Sequence, residues 1–264
     1  MLDDVTKKRI NTLRQILVGK LPDPKAQVEQ ITNGLIYKFM NDMDEQSVSM
    51  GGKSTYFSGK FQKYSWKNLL DTKTSGVEKI KLYSEAIEQM YINENLPELF
   101  REIFKNSFLP FKDPSTLNMF LKEINEFHYS NSEKLGDAFE YLLSFMGSQG
   151  DAGQFRTPRH IIDFITEIVN PQKNETVLDP ACGTAGFLIS VYKHILKQNT
   201  KKNLGDSLNA TERKKIGENL NGYDISPDMV KMSLVNMYLH KFTNPKINEY
   251  DTLSSEDRWN EYYD

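Results

Sequence analysis

Apolar residues recur at helical spacing through much of the first 130 residues of this chain. An apolar residue every three or four positions predicts amphipathic helices. The helices predicted in this way cover residues 5–18, 28–40, 66–70 and 76–93. Between the second and the third of them, the segment 41–63 is polar and contains Gly51, Gly52 and Gly59, which predicts a loop. The first half of the chain is therefore expected to be mainly helical.

Aromatic side chains are frequent in the same part of the chain. One interpretation is a surface on which nucleic-acid bases stack. The spacing favours another interpretation, that the rings form the core of a helical domain. The residues concerned are Tyr37, Phe39, Phe57, Phe61, Tyr64 and Trp66. An inward orientation is also expected for Phe100, Phe104, Phe108 and Phe111.

From residue 131 onward, helical segments alternate with short apolar runs. Such alternation is typical of an α/β domain with a parallel sheet. The predicted strands are 176–178, 223–226 and 247–250. The predicted helices are 135–146, 158–169, 211–220, and two that begin at 187 and 227. Asn221 and Gly222 are expected to end the helix before them. The predicted division is a helical domain over 1–130 and an α/β domain over 131–264.

Two of these helices carry more specific expectations. Thr157 is expected to be the N-cap of the helix that begins at Pro158. The buried face of that helix is predicted to comprise Ile161, Ile162, Ile165, Ile168 and Val169. The helix that follows Ser226 is predicted to bury Val230, Leu234, Met237 and Tyr238.

The composition, 38% hydrophobic and 26% charged, is that of a soluble globular protein. No apolar run reaches the length of a membrane helix, and no signal peptide is recognisable, so a cytoplasmic location is expected. One cysteine excludes a disulfide framework. The four histidines are dispersed, and no metal site is predicted.

The net charge is −3, with 19 basic against 20 acidic residues up to residue 150 and 14 against 16 after it. Proteins that bind DNA by themselves usually carry a basic patch that neutralises phosphates. Contact with DNA would therefore be local or assisted by a partner.

The segment 179–186 forms a small-residue loop between a predicted strand and a predicted helix. Ligands of open α/β sheets lie at the carboxyl ends of the strands, where Gly183 and Gly186 would allow a close approach. Glycine turns of this kind are common without a ligand. A dinucleotide site is disfavoured, because Ala181 occupies the first glycine position of the fingerprint and the next acidic strand end is Asp224.

The run Asp179-Pro180-Ala181-Cys182-Gly183 resembles the first motif of S-adenosylmethionine-dependent amino-methyltransferases that act on DNA. The resemblance implies a Rossmann-like methyltransferase domain with S-adenosyl-L-methionine as cofactor. A carboxylate such as Asp179 can attract the methionine ammonium of this cofactor, directly or through water. Ala185 stands where the family often has glycine. The cofactor-binding residues implied in this loop are Asp179, Ala181, Gly183, Thr184, Ala185 and Gly186.

A second motif precedes the first. The hexapeptide Gln154-Phe155-Arg156-Thr157-Pro158-Arg159 resembles the Gln-Phe-Tyr-Thr-Pro-Arg motif of the modification subunits of type I restriction-modification systems. In that family the segment closes over the methionine end of the cofactor, so all six residues are candidates for cofactor binding.

Two further strand ends complete the implied cofactor site. Asp224, followed by Ile225, is the candidate for binding both ribose hydroxyls, because a carboxylate is a strong acceptor for such a pair. The resemblance implies that Asp251 meets the adenine ring. Cys182 lies inside the loop and is interpreted as a small packing residue, not as a catalytic nucleophile.

The implied reaction is methylation of adenine at N6 in DNA, on a base flipped out of the helix. The implied partners are DNA, a specificity subunit and a restriction subunit. The family's Asn-Pro-Pro-Phe or Asn-Pro-Pro-Tyr motif does not occur before Asp264. The chain is therefore expected to be an N-terminal fragment with a truncated α/β domain, inactive alone, and its unpaired strand edges predict self-association.

Two other classes of protein stay open. The chain could be a helical protein-interaction module whose α/β part is degenerate and binds nothing. Intact Asp179, Gly183 and Asp224 favour the methyltransferase interpretation over this one. A methyltransferase that acts on small molecules is the third interpretation.

Overall fold

The computed structural model describes residues 2–128, 132–146, 157–254 and 260–264. The chain divides into two compact units, Met1–Gln149 and Gly150–Asp264. The first unit extends past residue 130 because the helix Ser132–Leu143 packs against the two N-terminal helices. Within the described ranges, no helix is both long enough and apolar enough to cross a bilayer.

The first unit consists of α-helices joined by short turns. They are α1 (Asp4–Val18), α2 (Pro24–Ser49), α3 (Trp66–Leu70), α4 (Gly76–Met90), α5 (Glu98–Phe104), α6 (Pro114–Asn125) and α7 (Ser132–Leu143), with 3₁₀ turns at Gly59–Tyr64 and Ser144–Met146. The side chains of Asp3, Asp23, Ser75 and Asp113 accept backbone N–H groups at the starts of α1, α2, α4 and α6. These caps satisfy amides that the first helical turn leaves without partners.

Helix α2 is longer than the sequence predicts. The prediction of a loop over 41–63 is wrong for the first part of this segment, because α2 continues to Ser49. The polar residues at this end of the helix make hydrogen bonds within the unit. The Asp44 carboxylate accepts the hydroxyl of Ser54 and the backbone N–H groups of residues 55–57. Polarity here reflects a hydrogen-bonded helix end that holds the following loop.

The core of the first unit is aromatic, and the inward orientation of its rings is confirmed. The ring of Tyr37 stacks on Phe57 and Tyr83 at centroid distances of 5.5 and 6.0 Å, and Trp66 meets it edge-on at 5.7 Å. The predicted core rings that are buried are Tyr37, Phe39, Phe57, Phe61, Tyr64, Trp66, Phe100, Phe104 and Phe111. A stacking surface for bases would require these rings to be exposed.

Phe108 is the exception among the predicted core residues. Its side chain is 60% exposed. Helix α5 ends at Phe104, and Asn106 then adopts a positive φ of 58°, so the helical spacing that linked Phe104 to Phe108 is interrupted.

The second unit contains a small parallel sheet with helices packed against it. Its elements are α8 (Arg159–Val169), β1 (Val177–Asp179), α9 (Gly186–Gln198), α10 (Ala210–Asn219), β2 (Leu220–Asp224), α11 (Pro227–Leu239) and β3 (Lys246–Glu249). The strands lie in the order β1-β2-β3, and both pairs are parallel. The three predicted strands are thus present. Their parallel arrangement places all three carboxyl ends at one edge of the sheet.

Strand β2 begins earlier than the sequence predicts. Asn221 and Gly222 lie inside this strand and do not end a helix. Leu220, directly after α10, already has the extended angles φ −94° and ψ 116°. Gly222 is needed for packing: a Cβ there would lie 2.7 Å from Ile247 Cδ1 and 3.0 Å from Cys182 Sγ.

Helix α8 differs from its prediction in two respects. It begins at Arg159 with Pro158 in the cap position, so Thr157 is not the N-cap. The Pro158 carbonyl accepts the backbone N–H groups of Ile161 and Ile162. The predicted buried face is mostly exposed: the exposed fractions are 6% for Ile162, 39% for Ile161, 40% for Ile165, 67% for Ile168 and 71% for Val169.

The reason is that α8 packs against α9 along one narrow stripe. Two residues of its apolar face, Ile165 and Val169, border a cavity of about 620 Å³ that β1 and α9 also line. Ile165, Val169, Val177, Phe187 and Val191 contribute apolar side chains to this cavity. The apolar periodicity of α8 therefore marks a face that the described residues leave largely uncovered.

Helix α11 is buried over a wider arc than one apolar stripe. Of its predicted buried residues, Met237 is fully buried, whereas Val230, Leu234 and Tyr238 are half-buried. The most buried positions are Met232, Ser233, Val235, Asn236, Met237 and Leu239. The helix contacts both β2 and β3, and its side chains also reach the loop after β1, which explains the wider buried arc.

Candidate functional site

Three aspartates mark the carboxyl ends of the three strands. Asp179 ends β1, Asp224 ends β2, and Asp251 follows β3 by two residues. The Tyr250 backbone N–H donates to the Asp224 carbonyl over 3.0 Å, which ties the segment after β3 to the end of β2. The three acidic residues predicted from the sequence therefore lie at the same edge of the sheet.

The loop between β1 and α9 is fixed by backbone hydrogen bonds to these strand ends. The Ala181 N–H donates to Asp179 Oδ1 over 3.2 Å. The Gly183 N–H donates to Asp224 Oδ2 over 2.9 Å, and the Cys182 N–H donates to the Tyr223 carbonyl over 2.8 Å. The loop is thus bound to both neighbouring strands.

Two residues of the loop adopt left-handed backbone conformations. Gly183 has φ 54° and Ala185 has φ 62°. Glycine adopts the left-handed conformation without strain, whereas an alanine in that conformation is strained. Ala185 is fully buried and immediately precedes α9. Because the left-handed conformation favours glycine, the loop accepts alanine at a conformational cost.

Arg159 contacts the start of α9. Its Nη1 donates to the Gly186 carbonyl over 2.8 Å. Gly186 also allows α8 and α9 to approach closely, since a Cβ on it would lie 3.1 Å from Ile162 Cδ1. Arg159 therefore serves to hold the loop and helix α9, a role that the sequence motif does not reveal.

The carboxylates make this edge of the sheet electrostatically unusual. Burial raises the pKa of Asp179, and the nearby Asp224 carboxylate adds to this effect, although the Ala181 N–H opposes it. Two half-buried acidic groups without a described cation between them favour a ligand that brings positive charge. Such a ligand would lower the pKa of Asp179 again.

Cys182 is buried in the same loop. Burial, and then the charges of Asp179 and Asp224, raise the pKa of its thiol to about 12. A thiol with such a pKa stays protonated at neutral pH and is a poor nucleophile. Its Sγ lies against Gly222, as expected for a small packing residue.

The other predicted site residues lie as follows. Gln154, Phe155 and Arg156 fall outside the described residues. Thr157 and Pro158 are described and exposed. Thr184 is buried inside the loop, and Ile225, directly after Asp224, is 66% exposed.

The turn after β3 is exposed and touches the loop. The Asp251 Oδ1 accepts the Leu253 N–H over 3.0 Å. The neighbouring Thr252 hydroxyl donates to the Pro180 carbonyl over 3.1 Å, so the turn contacts the residue that follows β1. Sequence reasoning did not single out Thr252, since a threonine in a polar turn gives no distinctive signal.

Asn236 on α11 is the second residue of the site that sequence reasoning missed. Its Nδ2 donates to the Thr184 carbonyl over 2.8 Å, and its side chain is fully buried. An asparagine between Val235 and Met237, on a helix read as apolar, is the signal that could have identified it.

A small-residue loop after β1, acidic ends on three parallel strands and a helix that starts from the loop define an α/β protein with a ligand crevice at the carboxyl edge of its sheet. The N-6 DNA Methylase family model matches residues 130–263, just over half of the chain. The chain belongs to this family.

The curated relatives include methylase subunits of type I restriction enzymes. The chain is 29% identical over 169 residues to the EcoEI methylase subunit of Escherichia coli, which covers 62% of the chain and 33% of that protein. It is 24% identical over 239 residues to the MjaVII methylase subunit of Methanocaldococcus jannaschii, covering 85% of the chain and 38% of that protein. The chain thus spans about a third of the length of these relatives.

Solved structures show the same fold. A type I restriction-modification methyltransferase subunit from Streptococcus thermophilus matches 98% of the chain and 60% of its own length, with a TM-score of 0.70 and 15% identity. A chain from a type I R-M system, studied for complex assembly and conformational transition, matches 95% of the chain and 51% of its own length, with a TM-score of 0.72 and 22% identity.

Proposed function

We propose that the α/β unit of this chain is the Rossmann-like, cofactor-binding part of a DNA methyltransferase that modifies adenine at N6. The cofactor is S-adenosyl-L-methionine. The observation that carries this proposal is the placement of Asp179, Asp224 and Asp251 around one small-residue loop at the carboxyl edge of the sheet. Family membership and the methylase relatives support it.

The carboxylates at the strand ends fit the charge and the hydrogen-bond donors of this cofactor. Its ammonium and sulfonium are positive, and Asp179 lies at a site where negative charge accumulates. Asp224 already accepts the N–H groups of Gly183 and Ser226, one on each oxygen. A carboxylate offers about four acceptor positions, so capacity for the ribose hydroxyls is left. No described atom beyond its chain neighbours lies within 4 Å of a Cβ built on Gly183, which leaves room beside the loop.

The residues would divide the work as follows. Asp179 attracts the methionine ammonium, Asp224 accepts the ribose hydroxyls with Ile225 beside it, and Asp251 meets the adenine. The hexapeptide 154–159 covers the methionine end, and Arg159 at its end holds α9 through the Gly186 carbonyl. When bound, the cofactor supplies an electrophilic methyl group. The acceptor is the amine of a flipped adenine, which has to be held in line with that methyl.

In the family that the chain resembles, an Asn-Pro-Pro-Phe or Asn-Pro-Pro-Tyr motif holds the amine. Residues 252–264 contain no Asn-Pro-Pro-Phe or Asn-Pro-Pro-Tyr. We therefore propose that the 264-residue chain binds the cofactor and does not methylate DNA by itself. Incubation with radiolabelled S-adenosylmethionine and adenine-containing DNA should give no N6-methyladenine. Methylated DNA would contradict this part of the proposal.

The proposed partners are DNA, a specificity subunit and a restriction subunit. The near-neutral charge of both halves supports delegation of sequence recognition to another subunit, because the chain alone has no excess of phosphate-binding cations. The methylase subunits of type I restriction enzymes among the relatives support such an assembly.

Calorimetric titration with S-adenosylmethionine tests the cofactor proposal. The native chain should bind saturably, and Asp224→Asn should bind roughly ten- to a hundredfold more weakly, because charged hydrogen bonds are lost. Asp206→Asn is the matched control: its carboxylate also accepts backbone N–H groups, in the loop before α10. The Asp206→Asn variant should bind S-adenosylmethionine with unchanged affinity. Absence of binding by the native chain would favour the interaction-module alternative.

A further inference from the structure

A buried amide on helix α11 reaches the loop after β1. Asn236 is fully buried, and its Nδ2 donates to the Thr184 carbonyl over 2.8 Å. Its Oδ1 has no donor among the described residues. A buried acceptor without a donor destabilises a folded protein. An apolar residue of similar size would avoid that cost, so the amide at this place requires a compensating role.

The position of its partner suggests that role. Thr184 lies between Gly183 and Ala185, which both have positive φ angles of 54° and 62°. The left-handed conformations of the two residues that flank Thr184 set the direction of the peptide groups on either side of it. The hydrogen bond from Asn236 holds the Thr184 carbonyl toward α11, in the interior of the unit. The same arrangement directs the Gly183 N–H to Asp224.

We propose that Asn236 is a positioning residue for the cofactor crevice: its amide fixes the Thr184 carbonyl and thereby the loop that Asp179 and Asp224 flank. This inference rests on the proposed cofactor function. Asn236 itself does not touch the cofactor. Its contribution to affinity comes from holding the loop in the binding conformation before the ligand arrives, which lowers the ordering cost of binding.

Asn236→Leu tests the inference. Leucine has the same branching and the same number of side-chain heavy atoms as asparagine, removes the unpaired Oδ1 and removes the donor to Thr184. The melting temperature should change little, because one unpaired buried group replaces another. The dissociation constant for S-adenosylmethionine should rise roughly tenfold, the equivalent of one hydrogen bond. Amide hydrogen exchange in residues 182–186 should accelerate without ligand.

Asn33→Leu is the matched control. Asn33 is also a fully buried helical asparagine, and both of its amide atoms lack partners among the described residues. It belongs to the first unit, so its replacement should raise the stability of the protein and leave cofactor affinity and loop exchange unchanged. If Asn236→Leu behaves in the same way as Asn33→Leu in both readouts, the inference is wrong.

Asn236→Asp covers the case in which the leucine variant does not fold. The ionised form of the introduced carboxyl group cannot donate to the Thr184 carbonyl, but its protonated form can. The ratio of variant to native dissociation constants should therefore fall as the pH is lowered. A ratio that stays constant over the whole pH range in which the introduced carboxyl group titrates would overturn the positioning role. Absence of binding by the native chain would overturn the cofactor proposal and this inference together, whereas native binding with an unaffected Asn236→Leu overturns this inference alone.

Discussion

The Asp224 carboxylate accepts the backbone N–H of Gly183 over 2.9 Å, so the end of β2 holds the loop that follows β1. The aspartate assigned to the ribose therefore has a structural role before any ligand is present. Asp224 and Gly183 are 41 residues apart in sequence, and the parallel pairing of β1 with β2 brings them together. Loop conformation and sheet pairing are consequently coupled.

Gly183→Ala should destabilise the protein by about 1 kcal/mol. The left-handed conformation costs alanine about 1–2 kcal/mol, and the reduced entropy of the unfolded chain returns part of this. Gly19→Ala is the control, because Gly19 has an equally open surrounding but a φ of −73°. It should be neutral or stabilising by about 0.4–1 kcal/mol. Urea denaturation of both variants measures the contrast, and equal effects would contradict the conformational explanation.

Gly222→Ala should destabilise the second unit by about 1–3 kcal/mol through overpacking. The added Cβ would lie 2.7 Å from Ile247 Cδ1 and 3.0 Å from Cys182 Sγ. Ile247→Val removes the nearer of these atoms. The double variant should therefore be more stable than the sum of the two single effects predicts. A double-mutant cycle by thermal denaturation tests this, and simple additivity would show that the close contact is not the cause.

Asp179→Asn should stabilise the protein at pH 7 and weaken cofactor binding. The pKa of Asp179 is raised in the folded state from 3.8, so its ionisation costs more there than in the unfolded chain. The resulting destabilisation appears as the pH rises above 3.8 and is complete above the folded-state pKa. Urea denaturation should therefore show that the advantage of the variant shrinks as the pH is lowered from the folded-state pKa of Asp179 to 3.8.

Asp206→Asn should change the stability of the protein in the opposite direction to Asp179→Asn. Hydrogen bonds from the N–H groups of Lys201, Asn203 and Lys202 lower the pKa of Asp206 to about 2. Its ionised form therefore stabilises the folded state above the unfolded-state pKa, and this contribution is lost as the pH falls to about 2. The variant should be less stable than the native chain at pH 7. Equal signs for Asp179→Asn and Asp206→Asn would contradict the electrostatic explanation.

We predict that the chain self-associates through the apolar face of α8 and that Val169→Lys reduces this association. Val169 is 71% exposed on the apolar face of α8, beside the cavity that β1 lines. Contiguous exposed apolar surface favours association, and an introduced charge opposes it. Val77→Lys is the control, since Val77 is 73% exposed on α4 in the first unit. Light scattering over a range of concentrations measures the effect, and a native mass that stays monomeric throughout would contradict the prediction.

The strands of the second unit could be predicted from short apolar runs between helical patterns, and the acidic residues at their ends could be predicted with them. The prediction of a loop over 41–63 was wrong in its first part, because a polar segment can be either a solvated loop or a helix end whose side chains are hydrogen-bonded. The segment after Asn41 is polar because Asp44 binds the backbone of residues 55–57, and this looks the same in sequence as a solvated loop.

The prediction that the apolar face of α8 is buried was wrong for a related reason. Periodicity identifies an apolar face but not whether anything covers it, and most of this face is exposed. Asn236 was missed because a single amide among apolar residues acquires meaning only when its partner, the Thr184 carbonyl, is known. The hydrogen bond from Arg159 to Gly186 likewise spans 27 residues and leaves no local pattern.

Helix α10 ends at Asn219 and β2 begins at Leu220, with no connecting loop. An inserted or deleted residue at this junction would rotate every side chain of β2 to the opposite face of the sheet and would carry Asp224 away from the loop. The segment 199–209 ahead of α10 is mostly exposed and folds around Asp206. Evolutionary changes of chain length are therefore expected to accumulate there, whereas the spacing between α10 and Asp224 should stay constant among proteins that keep this site.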